Sequence, residues 1–160
     1  MDSSDKIKIF LVDDDSMFVE SLTHMLREER VEVKSFSNGE ECIRCLSETP
    51  EIIILDYAFN NALNGVQVLN RIKQLSPETE VIMLSGIDNK SIIKDTLHYG
   101  AYDFIEKGES AVYKIGKEVK QLCDEIESLK ESEKENKKIL GINAVIILLI
   151  ITIFILTRIK

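Results

Sequence analysis

Five short apolar runs, separated by stretches with helical spacing, organise the first three quarters of the chain. They lie at residues 6–12, 31–36, 52–56, 81–84 and 102–105. The third run is continuous and rich in β-branched residues, which is typical of a strand buried on both faces. The alternation of strand and helix predicts an α/β fold, namely a doubly wound parallel sheet of five strands with helices on both faces.

Four helices are predicted between these strands. The first follows a cap at Asp15 or Ser16. The second covers residues 40–47, the third 66–75, and the fourth 89–99, where Gly100 ends it as a left-handed cap. Helical spacing gives the first helix an inward apolar face, made of Phe18, Leu22, Met25 and Leu26.

A fifth helix follows the last strand and continues well past the predicted sheet. Two interpretations of residues 112–129 stay open. The dense charges suit a solvated single helix, supported by ion pairs between residues four apart. The apolar positions alternate steps of three and four, which suits a short parallel coiled coil that pairs two chains into a homodimer. Those positions are Val112, Ile115, Val119, Leu122, Ile126 and Leu129.

A long apolar segment begins at Ile139 and ends at Thr157. Its 19 residues include no charged one, and at about 1.5 Å per residue they span about 28 Å, close to a hydrocarbon core of about 30 Å. A buried core helix is the alternative, but an α/β domain of this size has no place for a helix that is apolar all round. We therefore predict a single transmembrane helix. More Lys and Arg precede it than follow it, which keeps the N-terminal domain in the cytoplasm.

The charge distribution limits the choice of partners. Every Asp and Glu lies before residue 136, where 28 acidic residues accompany 16 Lys and Arg, for a net charge of −12. No nucleic acid is expected as a partner, because that binding depends on Lys and Arg at phosphates. Three Cys favour a reducing compartment. Cys42 and Cys45 form a CxxC pair inside a predicted helix, which we interpret as ordinary packing rather than a redox site.

Polar side chains follow four of the predicted strands. Asp13 and Asp14 follow the first strand, Asp56 the third, Ser85 the fourth and Lys107 the fifth. The carboxyl ends of parallel strands share one edge, where α/β proteins bind ligands. Three carboxylates there repel each other unless a cation such as Mg²⁺ lies among them. One carboxylate then suits a nucleophile that forms an aspartyl phosphate, with an ammonium and a hydroxyl to hold the phosphoryl oxygens.

This ordered set resembles the receiver domain of bacterial two-component response regulators, over about residues 6–122. The resemblance implies a flavodoxin-like strand order, 2-1-3-4-5. It also implies that Asp56 is the phosphoacceptor, and that the phosphoryl group comes from a sensor histidine kinase or a histidine phosphotransfer protein. Ser85 and Lys107 match the residues that contact the phosphoryl group, and Phe104 occupies the position of the switch aromatic.

The resemblance further implies a bound Mg²⁺. Its protein ligands would be Asp13, Asp14, Asp56 and the backbone carbonyl of Ala58.

Three departures from the family pattern concern the surroundings of the acceptor. The loop at residues 57–65 lacks the usual Pro and looks slightly lengthened, Gly108 replaces the Pro that normally follows the Lys, and Phe104 has no hydroxyl. The turn after the Lys is therefore expected to be trans. Ala58 and Ile87 each lie two positions past a site residue and cannot position an attacking water. We therefore predict a long-lived phosphoryl-Asp56.

The sequence thus predicts a membrane-anchored single-domain response regulator that signals by protein contact or phosphorelay. The expected parts are a receiver domain (1–122), a charged helical linker (123–138), a transmembrane helix (139–157) and a tail (158–160). The expected place is the bacterial inner membrane, with a single pass through the lipid bilayer. The main alternative is a receiver-like adaptor that is never phosphorylated. A Mg²⁺-dependent phosphatase is disfavoured for want of a substrate-holding insertion, so no enzyme activity is expected.

Overall fold

The structure is a computed structural model that describes residues 6–27, 30–58, 63–86, 94 and 96–158. The chain divides into two compact units, Met1–Val119 and Lys120–Lys160. The first unit contains a parallel sheet of order β2-β1-β3-β4-β5. The predicted fold class and strand order are therefore confirmed. The strands are β1 (Ile7–Val12), β2 (Val31–Phe36), β3 (Ile52–Asp56), β4 (Glu80–Ser85) and β5 (Asp103–Glu106).

Both faces of the sheet are covered, which explains why its central strands are apolar without alternation. Phe10 and Val12 of β1 pack in one core cluster with Val68 of α3 (Gly65–Leu75). Ile9 and Leu11 point to the opposite face, since side chains alternate along a strand, and they are fully buried as well. All five residues of β3 are buried, so the central strand carries no solvent-facing position.

Helix α1 (Ser16–Met25) begins at the end of β1 because Asp15 caps it. The Asp15 carboxylate accepts hydrogen bonds from the backbone N–H groups of Met17 and Phe18. The predicted cap and start are confirmed. Leu22 and Leu26 are buried as predicted. Met25 is 43% exposed, but its thioether lies against Gly116, so it packs at the margin of the predicted apolar face.

Helix α2 (Gly39–Arg44) is shorter than predicted. It ends at Cys45, and a short 3-10 helix (Leu46–Glu48) follows before Thr49 adopts a left-handed conformation with φ 54°. Pro50 comes next, and the residue before a proline is disfavoured in the α conformation. This accounts for the conformation of Thr49, whereas α2 itself ends three residues before the predicted end at Ser47, where the chain tightens into the 3-10 helix. This is the clearest correction to the predicted helices.

Two further helices complete the description. Residues 94 and 96–98 are helical and Gly100 has φ +86°, as predicted for a left-handed cap, while most of the predicted helix 89–99 lies outside the described residues. A long helix, Ala111–Arg158, which we call the C-terminal helix, runs through the segments predicted as linker and membrane span. Within the described part of the chain, it is the one helix long and apolar enough to cross a membrane.

Candidate functional site

Backbone hydrogen bonds bring the carboxyl ends of the strands together. The Asp13 N–H donates to the Phe36 carbonyl at 3.1 Å, and the Lys107 N–H donates to the Ser85 carbonyl at 2.8 Å. On the central strand, the N–H after Asp56 donates to a carbonyl of β4 at 2.7 Å. The parallel register therefore fixes the positions of residues that are distant in sequence. The site sits at the edge of the sheet that the sequence predicts.

The three Asp residues form one cluster. Carboxylate oxygens of Asp13, Asp14 and Asp56 lie within 4.8 Å of one another. Asp13 and Asp56 are each 3% exposed, whereas Asp14 is exposed. The cluster therefore has a buried floor and an open side, through which a small ligand can reach it.

Lys107 is the cationic partner of the two buried carboxylates. Its Nζ lies 2.7 Å from Asp13 Oδ2 and 3.0 Å from Asp56 Oδ2. One ammonium group thus bridges the ends of β1 and β3 from a position just after β5. Asp56 Oδ1 remains buried without a hydrogen-bond partner among the described residues.

These contacts change the acid–base properties of the site. Burial raises the pKa of Asp56 above its ordinary value; Lys107 opposes this shift and the nearby Asp13 charge adds to it. Burial alone would lower the pKa of Lys107, but its contacts with Asp13 and Asp56 outweigh that effect and raise the pKa overall. The ammonium group is therefore retained at neutral pH, while the Asp56 carboxylate is held in an unfavourable setting.

The remaining predicted site residues lie at or near the same edge. Ser85 is fully buried at the end of β4. Phe104 lies on β5 beside Met83 and is partly buried against the core cluster. Ala58 is exposed, two residues after Asp56, and the Lys107–Gly108 peptide is trans, as predicted. Ile87 and residues 59–62 lie outside the described residues.

One neighbour of the site did not stand out in the sequence. The Lys107 Nζ lies 5.0 Å from the centroid of the Phe18 ring, within the range of a cation–π contact. Helical spacing assigned Phe18 only to the apolar face of α1. Its closeness in sequence to Asp13 and Asp14 could have identified Phe18 as a neighbour of the site, since α1 begins two residues after Asp14.

Gly65 shapes the loop beside Asp56. Its N–H donates to the Tyr57 carbonyl at 2.9 Å. A Cβ at this position would lie 2.5 Å from the Asp56 carbonyl oxygen and 2.6 Å from Tyr57 Cα. Because both neighbours are backbone atoms, no side-chain movement can relieve such a contact. The glycine lets the start of α3 approach the end of β3.

The CxxC pair is not arranged for thiol chemistry. Cys42 is fully buried, and burial raises the pKa of its thiol to about 12. Reactive cysteines need an accessible thiolate with a lowered pKa. The interpretation of Cys42 as a packing residue is therefore supported by its surroundings.

The cluster fits a hard divalent cation. Carboxylate oxygens are the ligands that Mg²⁺ prefers in proteins, and the buried, unpartnered Asp56 Oδ1 is an acceptor that a cation would satisfy. The open side at Asp14 leaves room for the waters that Mg²⁺ keeps. The donor set therefore matches the metal that the sequence predicts.

The chain belongs to the response regulator receiver domain family, whose family model matches residues 9–115. The chain is similar to the nitrogen assimilation regulatory protein NtrX of Azorhizobium caulinodans, with 30% identity over 101 residues, 62% of this chain and 22% of that protein. A CpxR homolog of Haemophilus influenzae is 33% identical over 102 residues, 62% of this chain and 43% of that protein. Receiver domains are signalling domains that accept a phosphoryl group on an Asp in two-component systems.

Solved structures agree with this assignment. A BeF3-activated DrrB receiver domain superimposes with a TM-score of 0.67 at 25% identity, over 74% of this chain and 98% of that one. The response regulator DrrB of Thermotoga maritima gives the same TM-score of 0.67, with 54% of its chain covered.

The match covers only part of the full-length relatives. One of them is named a cyclic di-GMP phosphodiesterase, from Thermotoga maritima, and is 29% identical over 99 residues, 26% of its length. The chain spans about a quarter of the length of such relatives. What their remaining parts do is therefore no guide to this chain.

Proposed function

We propose that the chain is a membrane-tethered response regulator that accepts a phosphoryl group on Asp56. The observation that carries the proposal is the setting of this carboxylate. One of its oxygens meets Lys107, while the other is buried without a hydrogen-bond partner among the described residues. A buried polar atom without a partner costs free energy. Its retention is understandable if a bound cation satisfies this oxygen and leaves the carboxylate poised to accept a phosphoryl group.

The phosphoryl transfer follows from the placement of these groups. An Asp56 oxygen forms a bond to the phosphorus of a phosphohistidine on a kinase or phosphotransfer protein. The P–N bond breaks, and its electron pair leaves with the imidazole. Lys107, 3.0 Å from Asp56 Oδ2, is close enough to interact with the phosphoryl oxygens, and the Ser85 hydroxyl is the proposed second contact.

Asp13, Asp14, Asp56 and the Ala58 carbonyl are the proposed ligands of Mg²⁺. When bound, the cation would supply positive charge that stabilises the phosphoryl oxygens. Phe104, which lies partly buried on β5, is the proposed aromatic that responds to the phosphoryl group. The phosphorylated domain then acts on a partner protein, or passes the group to a second histidine, with no turnover of its own.

The C-terminal helix is the proposed membrane anchor, in the bacterial inner membrane with the receiver domain on the cytoplasmic side. Its apolar part is long enough to cross a bilayer, and Lys134, Lys137 and Lys138 precede that part. Tethering would raise the effective concentration of the receiver domain near a membrane-bound kinase.

The test is labelling of the full chain by acetyl phosphate with Mg²⁺, read by intact mass. We expect the unsubstituted chain to gain one phosphoryl group and Asp56→Asn to gain none. Asp15→Asn is the matched control, because Asp15 lies in the same acidic run but caps α1, and Asn is an equally good cap. Its labelling should persist. If the unsubstituted chain gains no phosphoryl group, the result would favour the alternative function, a receiver-like adaptor that is never phosphorylated.

The phosphoryl group on Asp56 should persist for much longer than seconds. Neither the Ala58 nor the Ile87 side chain carries a polar group that could position an attacking water. The measurement is the loss of the added mass with time after the phosphodonor and Mg²⁺ are removed. Decay within seconds would contradict this prediction.

A further inference from the structure

We propose that two copies of the chain pair in parallel through one face of the C-terminal helix, with the Asn143 side chains facing each other inside the bilayer. The proposal rests on the proposed membrane anchor. It concerns only residues after 120 and is independent of phosphorylation.

Asn143 differs from the other described polar side chain of the span. The Thr152 hydroxyl donates to the Leu148 carbonyl at 2.8 Å, so its hydrogen bond is satisfied within its own helix. The Asn143 side chain has no such bond to any described residue. An Asn amide offers two donors and an acceptor. It therefore has hydrogen-bonding capacity that only a group outside its own helix can use.

The unused hydrogen-bonding groups of Asn143 matter because this residue lies within the apolar segment. Asn143 lies four residues past Ile139, which at about 1.5 Å per residue is about 6 Å into the apolar segment. Lipid tails provide no hydrogen bonds, so polar side chains in a span associate with those of a neighbouring helix. A second copy of Asn143 is a self-complementary partner, since each amide can donate to the carbonyl oxygen of the other.

The same helix face continues in both directions from Asn143. Steps of three and four lead back from it to Leu140, Asn136, Glu133, Leu129 and Ile126, and forward to Ile147 and Ile150. Leu140 is 71% exposed, and Ile147 and Ile150 are 58% and 60% exposed. A heptad face of this kind is the one that paired helices share. Of the seam predicted for residues 112–129, Ile115, Val119 and Leu122 are buried within the chain, so only its last positions, Ile126 and Leu129, continue this face toward the membrane span.

The charges beside this face favour parallel pairing. With Ile126 and Leu129 as the facing positions, Glu125 precedes the first and Lys130 follows the second. In a parallel pair, Glu125 of one copy lies near Lys130 of the other, and the reverse contact forms by symmetry. The sequence thus carries complementary charges at the two flanking positions that set orientation.

Glu133 interrupts the apolar face between its two parts. It falls on a facing position, where two like charges would oppose pairing. Lys137, one turn further on, lies 3.9 Å from its carboxylate and offsets that charge. The part within the membrane, around Asn143, is therefore the part that should contribute most to association.

The experiment reconstitutes the full chain into phosphatidylcholine and phosphatidylglycerol vesicles. Energy transfer between donor- and acceptor-labelled copies is measured as the lipid-to-protein ratio rises. We expect Asn143→Leu to weaken association on the order of tenfold, because it removes the interhelical hydrogen bonds between the two amides. Thr152→Val is the matched control and should not change association, since it removes a hydroxyl already satisfied within its helix.

A second readout tests the face and the orientation. A disulfide should form readily between copies of Asn136→Cys, which lies on the proposed face. Glu135→Cys, one residue away and off the face, should not exceed the background that the native cysteines give in the unsubstituted chain. Equal cross-linking at both positions would overturn the proposed face.

The outcomes separate this proposal from the anchor on which it rests. Loss of the chain from vesicles on alkaline washing would overturn both. A chain that stays in the vesicles as a monomer, or an Asn143→Leu variant that associates as well as the unsubstituted chain, would overturn the pairing and leave the anchor intact.

Discussion

The acidic site and the C-terminal helix depend on the sequence in opposite ways. At the site, Asp13, Asp56 and Lys107 lie far apart in the chain and meet only because the parallel sheet brings three strand ends together. Along the helix, the relevant properties are local, namely apolar length, flanking charge and the spacing of a few polar residues. The site can therefore be disrupted by a distant change that alters the fold, whereas membrane insertion of the helix depends only on residues within the helix.

The largest expected effect is on the helix alone. Leu148→Arg places a charge near the middle of the apolar segment, off the proposed pairing face. Such a charge costs about 3 kcal/mol on insertion scales. We expect the membrane-bound fraction in a flotation assay to fall sharply, while labelling by acetyl phosphate is unchanged. Leu148→Ile is the control. Equal retention of both variants in the membrane would contradict the claim that membrane insertion depends on the apolar residues of this helix.

The second-largest expected effect is on the site, and it acts through the backbone beside Asp56. Gly65→Ala forces a Cβ against the backbone of Asp56 and Tyr57, and overpacking of this kind costs about 2 kcal/mol. We expect a lower melting temperature and slower phosphoryl labelling. Gly108→Ala is the matched control, because a Cβ there meets nothing within 4 Å. Similar losses in both variants would show that the close approach at Gly65 is unimportant.

A smaller effect concerns the charge of Asp56. Its pKa is raised in the fold, mainly by burial, so ionisation of Asp56 penalises the folded state. The penalty is absent below the unfolded-state pKa and develops as pH rises through the raised value. Asp56→Asn should therefore stabilise the metal-free chain at pH 7.

That gain should disappear as the pH is lowered toward the ordinary pKa of Asp. Chemical denaturation at both pH values, in a chelator, measures it, and Asp15→Asn serves as the control. Mg²⁺ should reduce the difference at pH 7 by stabilising the unsubstituted chain, since a ligand that binds only the folded state stabilises it. A gain of equal size at both pH values would argue against the charge explanation.

The smallest expected effect is that the Cys42 thiol does not react with an alkylating reagent. Cys42 is buried and its thiol pKa is raised to about 12, so the native chain should leave it unmodified by iodoacetamide at pH 8. Cys45 is partly exposed and should be alkylated first. Peptide mass spectrometry after a time course separates the two. Rapid modification of Cys42 would reopen the redox interpretation.

The sequence predicted the fold well where a single physical signal dominates. The continuous apolar run of β3 could only be a central strand, and its boundaries match the structure. The end of α2 was missed because helical spacing continues past Cys45, where the chain tightens into a 3-10 helix that the spacing does not predict. Spacing alone could not tell that Met25, 43% exposed with its sulfur against Gly116, lies at the margin of the apolar face rather than at its centre.

For the site, the sequence identified the residues but not their contacts. That Asp13, Asp56 and Ser85 lie at one edge follows from topology. That one ammonium group contacts both carboxylates, and that the Phe18 ring lies beside it, depends on the side-chain directions after β5 and at the start of α1. Those directions follow from packing, which no pattern of residue types encodes.

The central claim is that Asp56, and no other carboxylate of the cluster, becomes phosphorylated. The most direct measurement is reductive trapping with borohydride after incubation with acetyl phosphate and Mg²⁺, followed by peptide mass spectrometry. We predict homoserine at position 56 and unmodified Asp at positions 13 and 14. Trapping at Asp13 or Asp14 instead, or an unmodified residue 56 in a chain that has gained a phosphoryl group, would contradict the account.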